Sequence, residues 1–121
     1  MNSRILIVDD DPDMVEIIQA YCEREGFQVA IARSCEEADL QLARFTPDVI
    51  VLDIMLGENN GIEWCQAVRD STRAIIIFLS SREEDEIKIR ALSDGGDDYV
   101  TKPFSPKVLM AKIKAHLRRT S

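Results

Sequence analysis

Three acidic residues, a serine and a lysine each stand directly after an apolar or β-prone run, and together they suit phosphoryl transfer to a carboxylate. Ile5-Leu6-Ile7-Val8 leads into Asp9 and Asp10, and Val49-Ile50-Val51-Leu52 into Asp53. Ala74 to Leu79 leads into Ser80, and Asp98-Tyr99-Val100-Thr101 into Lys102. An aspartate can attack phosphorus and carry the group as an acyl phosphate. Two further carboxylates can hold a hard divalent cation such as Mg²⁺ through oxygen. The cation lowers the charge on the transferring group, so that an anionic nucleophile can approach. An ammonium binds a phosphoryl oxygen as a point charge, and a serine hydroxyl can donate to another. The chain has no P-loop sequence, which argues against ATP as the direct donor. A phosphorylated protein or a small acyl-type phosphate fits better. Each residue alone has a plain alternative, as a helix cap or a solvated end. Their recurrence at four strand ends is what favours a common site.

These groups share a crevice only if the strands before them run parallel. Four consecutive aliphatic residues before Asp53 read as a strand buried on both faces, as in a parallel sheet. Asp11 then Pro12 reads as a helix start, with Met14, Ile17, Ile18, Tyr21 and Cys22 at helical spacing and Gly26 as the stop. Phe27 to Ala32 reads as a second strand, and Ser34 with Glu37 as a capping box for a second helix that Pro47 closes. Gly57 to Gly61 reads as a loop and Ile62 to Arg69 as a third helix, with Trp64 a surface or rim aromatic. Glu83 to Glu86 supplies acids for a fourth helix that Gly95-Gly96 ends. Ser105-Pro106 opens a fifth, with Leu109, Ile113 and Leu117 on its inner face. Five strands alternating with five helices predict a doubly wound parallel α/β sheet with helices on both faces. In such sheets ligands bind outside the carboxyl ends of the strands.

A chain of 121 residues predicts one domain with its own core. Its 45% hydrophobic and 31% charged residues are ordinary for a soluble fold. A net charge of -7 argues against a nucleic-acid-binding module, which needs a surplus of lysine and arginine. Cys22, Cys35 and Cys65 have no C-x-x-C spacing and read as small buried hydrophobes. His116, the only histidine, reads as solvated or partly packed. No signal peptide or membrane span is evident, which predicts a cytoplasmic protein with no membrane partner. No linker or repeat is seen before Arg118 to Ser121.

With these residues in place, the chain resembles the receiver domain of two-component response regulators over essentially its whole length. The resemblance rests on Val8-Asp9-Asp10-Asp11, Val51-Leu52-Asp53-Ile54-Met55-Leu56, Leu79-Ser80-Ser81 and Asp97-Asp98-Tyr99-Val100-Thr101-Lys102-Pro103-Phe104. It implies a flavodoxin-like (CheY-like) fold with strand order 2-1-3-4-5. It implies that Asp53 takes a phosphoryl group from a sensor histidine kinase, aided by Lys102 and Ser80. Mg²⁺ would lie on Asp10, Asp53 and the carbonyl of Met55, with Asp9 acting through water. Ser80 and Tyr99 would be a switch pair, and Lys102-Pro103 a cis peptide.

The last third looks most like receivers of winged-helix transcription factors of the OmpR/PhoB type. That likeness makes residues 1–121 a receiver domain at the start of a longer regulator, which would meet DNA only through a domain beyond this chain. It also implies a homodimer on phosphorylation, through helix 4, strand 5 and helix 5, with Lys88, Asp97, Asp98, Val108, Lys112 and Arg119 on that face. Asp98 and Lys112 would supply opposite charges for pairing across the two-fold axis. Two departures stand out. Leu56-Gly57-Glu58 replaces the usual Leu-Pro-Gly, which predicts a more mobile loop, and Val108 replaces the acid that would pair with Lys88. Other readings are a receiver never phosphorylated and used only for protein interaction, and a single-domain phosphorelay carrier. A haloacid dehalogenase-type phosphatase needs an aspartate where Met55 stands, and a flavin phosphate would be repelled by the carboxylates. Apart from its own phosphorylation and dephosphorylation, no catalysis is expected.

Overall fold

The computed structural model describes residues 2–57 and 59–120. Five parallel strands form the central sheet: β1 (Arg4–Val8), β2 (Gln28–Ala32), β3 (Val49–Asp53), β6 (Ile75–Ser80) and β7 (Asp98–Thr101). Their order is β2-β1-β3-β6-β7, which is the expected 2-1-3-4-5 when the long strands are counted alone. Between β3 and the third helix, the predicted loop contains a two-stranded antiparallel ribbon, β4 (Met55–Leu56) with β5 (Asn59–Asn60). Glu58, in the departure from Leu-Pro-Gly, lies outside the described residues.

The helices follow their sequence signals closely. In α1 (Pro12–Arg24) the Asp11 carboxylate accepts from the amides of Asp13 and Met14. In α2 (Cys35–Phe45) the Ser34 hydroxyl accepts from Glu37 N, and Glu37 in turn accepts from Arg33 N. In α3 (Gly61–Val68) the Asn60 side chain accepts from Ile62 N. This helix starts one residue earlier than predicted, and Arg69–Ser71 continues it as a tighter 3-10 turn. α4 (Asp85–Ser93) has no side-chain cap, but Asp85 and Glu86 lie in its first turn. α5 (Pro106–Thr120) runs through the residues expected to begin a linker.

Alternation along the strands divides the core into two layers. Leu6, Val8, Ile50, Leu52, Ile76 and Phe78 face α2, α3 and α4. Ile5, Ile7, Val49, Val51, Ile77 and Leu79 face α1 and α5. Every residue of β3 and of β6 is buried, as expected for central strands covered on both sides. Cys22 and Cys65 are buried thiols, whereas Cys35 is half-buried. Burial pushes the thiol of Cys22 up to about 12 and that of Cys65 to about 11, so both are poor nucleophiles.

Trp64 departs from its sequence reading. It is 6% exposed, packs in the layer beneath α3, and donates from Nε1 to Asp39 on α2 at 2.9 Å. Its position one turn into a helix gave no hint of depth, because the face it occupies is set by how α3 lies on the sheet. A buried indole with its N–H satisfied is the usual arrangement.

Candidate functional site

Register brings the predicted residues together. Val8 pairs with Leu52, so Asp9 and Asp53 leave adjacent strands at nearly the same level. Asp53 pairs with Leu79, and Ser80 with Thr101, so Ser80 and Lys102 follow on the next two strands. Lys102 Nζ lies 3.2 Å from Asp53 Oδ2 and 3.9 Å from Asp9 Oδ2. Asp53 is 6% exposed, and its Oδ1 accepts from Met55 N at 3.0 Å. Carboxylate oxygens of Asp9, Asp10 and Asp53 all lie within 4.8 Å of one another. The Lys102-Pro103 peptide is cis.

The two adjacent acids that follow β1 differ in environment. Asp10 is exposed, whereas Asp9 is 1% exposed. Asp9 Oδ1 accepts from Asp11 N at 2.9 Å, but Oδ2 has no hydrogen-bond partner. Burial pushes the Asp9 carboxyl up to about 6. The Asp11 amide pulls the other way, the charge on Asp53 adds to the rise, and Lys102 partly opposes it. A buried carboxylate oxygen lacking a partner, in a set of hard oxygen donors, is what a divalent cation site presents. The residues present therefore fit a Mg²⁺ ion.

Two glycines let the backbone close around this crevice. A Cβ on Gly61 would collide with the carbonyl oxygen of Asp53, and Gly61 N donates to Ile54 O at 2.7 Å. Gly57 adopts φ 60, in the left-handed region, and its α-carbon side faces Asp10 Oδ2. A surface groove of about 960 Å³ lies at the opposite end of the strands, between Pro47, Thr72 and Leu117. None of the groups described above lines it.

Sequence reasoning missed Arg82. Ser80 is 1% exposed, and its Oγ accepts from Arg82 N at 3.0 Å. Tyr99 OH donates to Arg82 O at 2.7 Å. The two residues expected to act as a switch pair are thus joined through the main chain of one residue, Arg82. No side-chain pattern signals a role played by main-chain atoms. The ring of Tyr99 is half-buried against the α4 side of the sheet, and Lys88 Nζ sits over it at 5.9 Å.

The residues of the expected dimer face lie on or beside α4, β7 and α5. Within the chain, Asp98 and Lys112 pair at 3.3 Å. His116 Nε2 also lies 3.0 Å from Asp98 Oδ2, and Tyr99 N donates to Oδ1. Burial would raise the Asp98 carboxyl, but the bonds from His116 and Tyr99 N and the charge of Lys112 hold it below its usual value. Asp97 is likewise engaged, with Arg69 at 3.3 Å and with Ile76 N. Arg69 also donates to the carbonyls of Gly95, Thr72 and Ala74, and so ties the start of β6 to the turn after α4. The face also leaves apolar side chains open: Ile89 is 63%, Leu92 45% and Val108 50% exposed. Arg119 is exposed at the end of α5.

A doubly wound parallel sheet with an acidic crevice and a lysine at its carboxyl edge defines the class. A sequence model of the response regulator receiver domain matches residues 5–114. The chain belongs to that family. It is 42% identical over 121 residues to the alkaline phosphatase synthesis transcriptional regulatory protein PhoP of Bacillus subtilis, covering 99% of this chain and 50% of that one. It is 38% identical over 119 residues to the DNA-binding response regulator MtrA of Mycolicibacterium smegmatis, covering 98% and 52%. The chain spans about half the length of the curated relatives it matches. A two-component response regulator from Clostridium difficile superposes with a TM-score of 0.96 at 35% identity, over 99% of both chains. DrrB, described as an OmpR/PhoB homolog of Thermotoga maritima, gives 0.87 at 32%, over 100% of this chain and 55% of that one. Among the described residues, no helix is long and apolar enough to cross a membrane.

Proposed function

We propose that this receiver domain is a signalling switch in which Asp53 accepts a phosphoryl group from the phosphohistidine of a sensor kinase. The observation that carries the proposal is a single juxtaposition. Asp53 ends a fully buried strand with the Lys102 ammonium at 3.2 Å and two more carboxylates alongside. In the transfer, a bond forms between an Asp53 oxygen and phosphorus as the bond from phosphorus to the donor imidazole nitrogen breaks, and the imidazole leaves. Lys102 meets the phosphoryl oxygens as a fixed cation. Asp10, Asp53 and the Met55 carbonyl would hold Mg²⁺, with Asp9 acting through water. When bound, the ion supplies charge neutralisation at the transferring group.

A phosphoryl group on Asp53 offers new acceptor oxygens near Ser80. When the Ser80 side chain swings toward one to donate its hydroxyl proton, Oγ moves away from Arg82 N. Displacing Arg82 in turn removes the carbonyl that holds Tyr99 OH, and the ring can move toward the space Ser80 leaves. The result is a packing switch between two arrangements, read on the surface of α4, β7 and α5. Dimerisation through that face, and control of transcription by a DNA-binding domain in a longer chain, complete the reading. Its support is the half-length coverage of relatives named as transcriptional regulators. A structure titled as the BeF3-activated DrrB receiver domain, at a TM-score of 0.88 and 30% identity, supports the response to a phosphoryl mimic. Beyond its own phosphorylation and dephosphorylation the domain is read as a binding switch, not an enzyme.

The test is incubation with Mg²⁺ and acetyl phosphate, read by intact mass. A gain of one phosphate that Asp53→Asn abolishes is the expected result. An unphosphorylated wild type would leave a domain used only for protein interaction.

A further inference from the structure

We infer that Lys88 is a positioning residue that latches Tyr99 in the conformation seen here and so sets how readily the site is engaged. The inference rests on the switch reading above and assigns its regulation to a contact on α4. Two contacts hold the Tyr99 side chain, and another carries one of them on to Ser80. The Tyr99 hydroxyl donates to Arg82 O, the Arg82 amide donates to Ser80 Oγ, and the Lys88 ammonium stands 5.9 Å from the ring centroid. The first two form a chain from the ring to the phosphoryl crevice. The third holds the ring from outside that chain.

The ammonium is available for this role because, among the described residues, Lys88 forms no ion pair, while Asp97 and Asp98 are taken by Arg69, Lys112 and His116. Val108, where the resemblance would set an acid for Lys88, is apolar and half-exposed. An ammonium over the face of a tyrosine is attracted by the ring quadrupole. A ring that moves inward, toward Ser80, leaves that attraction behind, because Lys88, half-buried on α4, meets the ring in its outward position. Lys88 therefore favours the resting position, and an inward ring is reached against it.

Such contacts at exposed sites correspond to a shift of about two- to fivefold in a two-state equilibrium, or ~0.5–1 kcal/mol at about 1.4 kcal/mol per tenfold. When the competent state is the minor one, apparent affinity changes by the same factor. Beryllofluoride with Mg²⁺ is the probe, titrated against the fluorescence of Trp64. Lys88→Gln keeps the length of the side chain and removes its charge. It is expected to tighten beryllofluoride binding about two- to fivefold, whereas Lys88→Arg keeps a cation over the ring and stays at the wild-type value. In a Tyr99→Leu background, Lys88→Gln is expected to change nothing, since the pair is already broken. An unchanged affinity in Lys88→Gln, or the same tightening without Tyr99, overturns the latch.

A ligand-free readout separates this from failure of the phosphoacceptor reading. The NMR signals of the Tyr99 ring should move in Lys88→Gln and not in Lys88→Arg, in protein without metal or mimic. Unmoved ring signals overturn the latch even if Asp53 is phosphorylated. Moved signals uphold it even if the wild type fails to take up phosphate, in which case it is Asp53 that has been misread.

Discussion

Asp9 should destabilise the metal-free fold at neutral pH, and replacing it with asparagine should show by how much. Its carboxyl is 1% exposed, one oxygen lacks a partner, and its value is pushed from 3.8 to about 6. The rise is about two pKa units, and at about 1.4 kcal/mol per unit it amounts to about 3 kcal/mol as an upper bound. The sign follows from which state binds the proton more tightly. Below pH ~4 Asp9 is protonated in both states and costs nothing. As pH rises toward 6 the unfolded chain ionises first, and the fold loses stability relative to it. Above about 6 both states are ionised and the full penalty remains. Asp9→Asn keeps an oxygen to accept from Asp11 N. It places an amide N–H₂ where Oδ2 stands, and an unpaired buried donor costs on the order of 1 kcal/mol. The variant should therefore be more stable than wild type by about 2 kcal/mol at pH 8, or a melting rise of roughly 8 °C for a domain of this size. At pH 4 the gain should vanish or reverse. Urea unfolding followed by Trp64 fluorescence, with a chelator throughout, measures both. An equal difference at the two pH values would refute burial of charge as the cause.

Mg²⁺ at ten times its dissociation constant should stabilise the wild type by about 1.4 kcal/mol, and Asp10→Asn should remove most of that in a melting assay at matched ionic strength. A mutant shift as large as the wild type's would take Asp10 out of the metal site. Beryllofluoride should alter hydrogen exchange most between Ser80 and Phe104, through the Arg82 link, and changes limited to the residues after Asp53 would break the proposed coupling. Sedimentation of the beryllofluoride form should show a weak, reversible and salt-sensitive dimer. Val108→Lys should weaken it, because it sets a charge among the open apolar groups Ile89, Leu92 and Val108. A monomer at every concentration would point to a different partner. Since Asp98 and Lys112 pair in one chain, Asp98→Lys should lower the melting temperature of the monomer, and adding Lys112→Asp should recover part of the loss.

The sequence alone was enough to place the five long strands and five helices and to group the candidate residues of the site. Aliphatic runs of four to six residues dictate buried strands, and Asp11, Ser34 and Gly26 mark helix ends by hydrogen bonds reaching only two to four residues. Residues placed just after parallel strands must share one edge of the sheet, so Asp9, Asp10, Asp53, Ser80 and Lys102 could be grouped without coordinates. Tertiary packing decided what those neighbours do to one another. Asp9 and Asp10 are equivalent as letters, yet just past the end of β1 one turns into the crevice floor, where it accepts from Asp11 N, and the other stays exposed. The depth of Trp64 follows from how α3 lies on the sheet. Arg82 joins Ser80 to Tyr99 by main-chain atoms, which no side-chain pattern encodes. The in-chain partners of Asp98 depend on the seating of α5 against β7, fourteen and eighteen residues away in sequence. Lys102 meets Asp53 across a separation of 49 residues. Local propensity acts over a turn or a hairpin, whereas a contact at that range exists only once the sheet has closed and its register has set the distance.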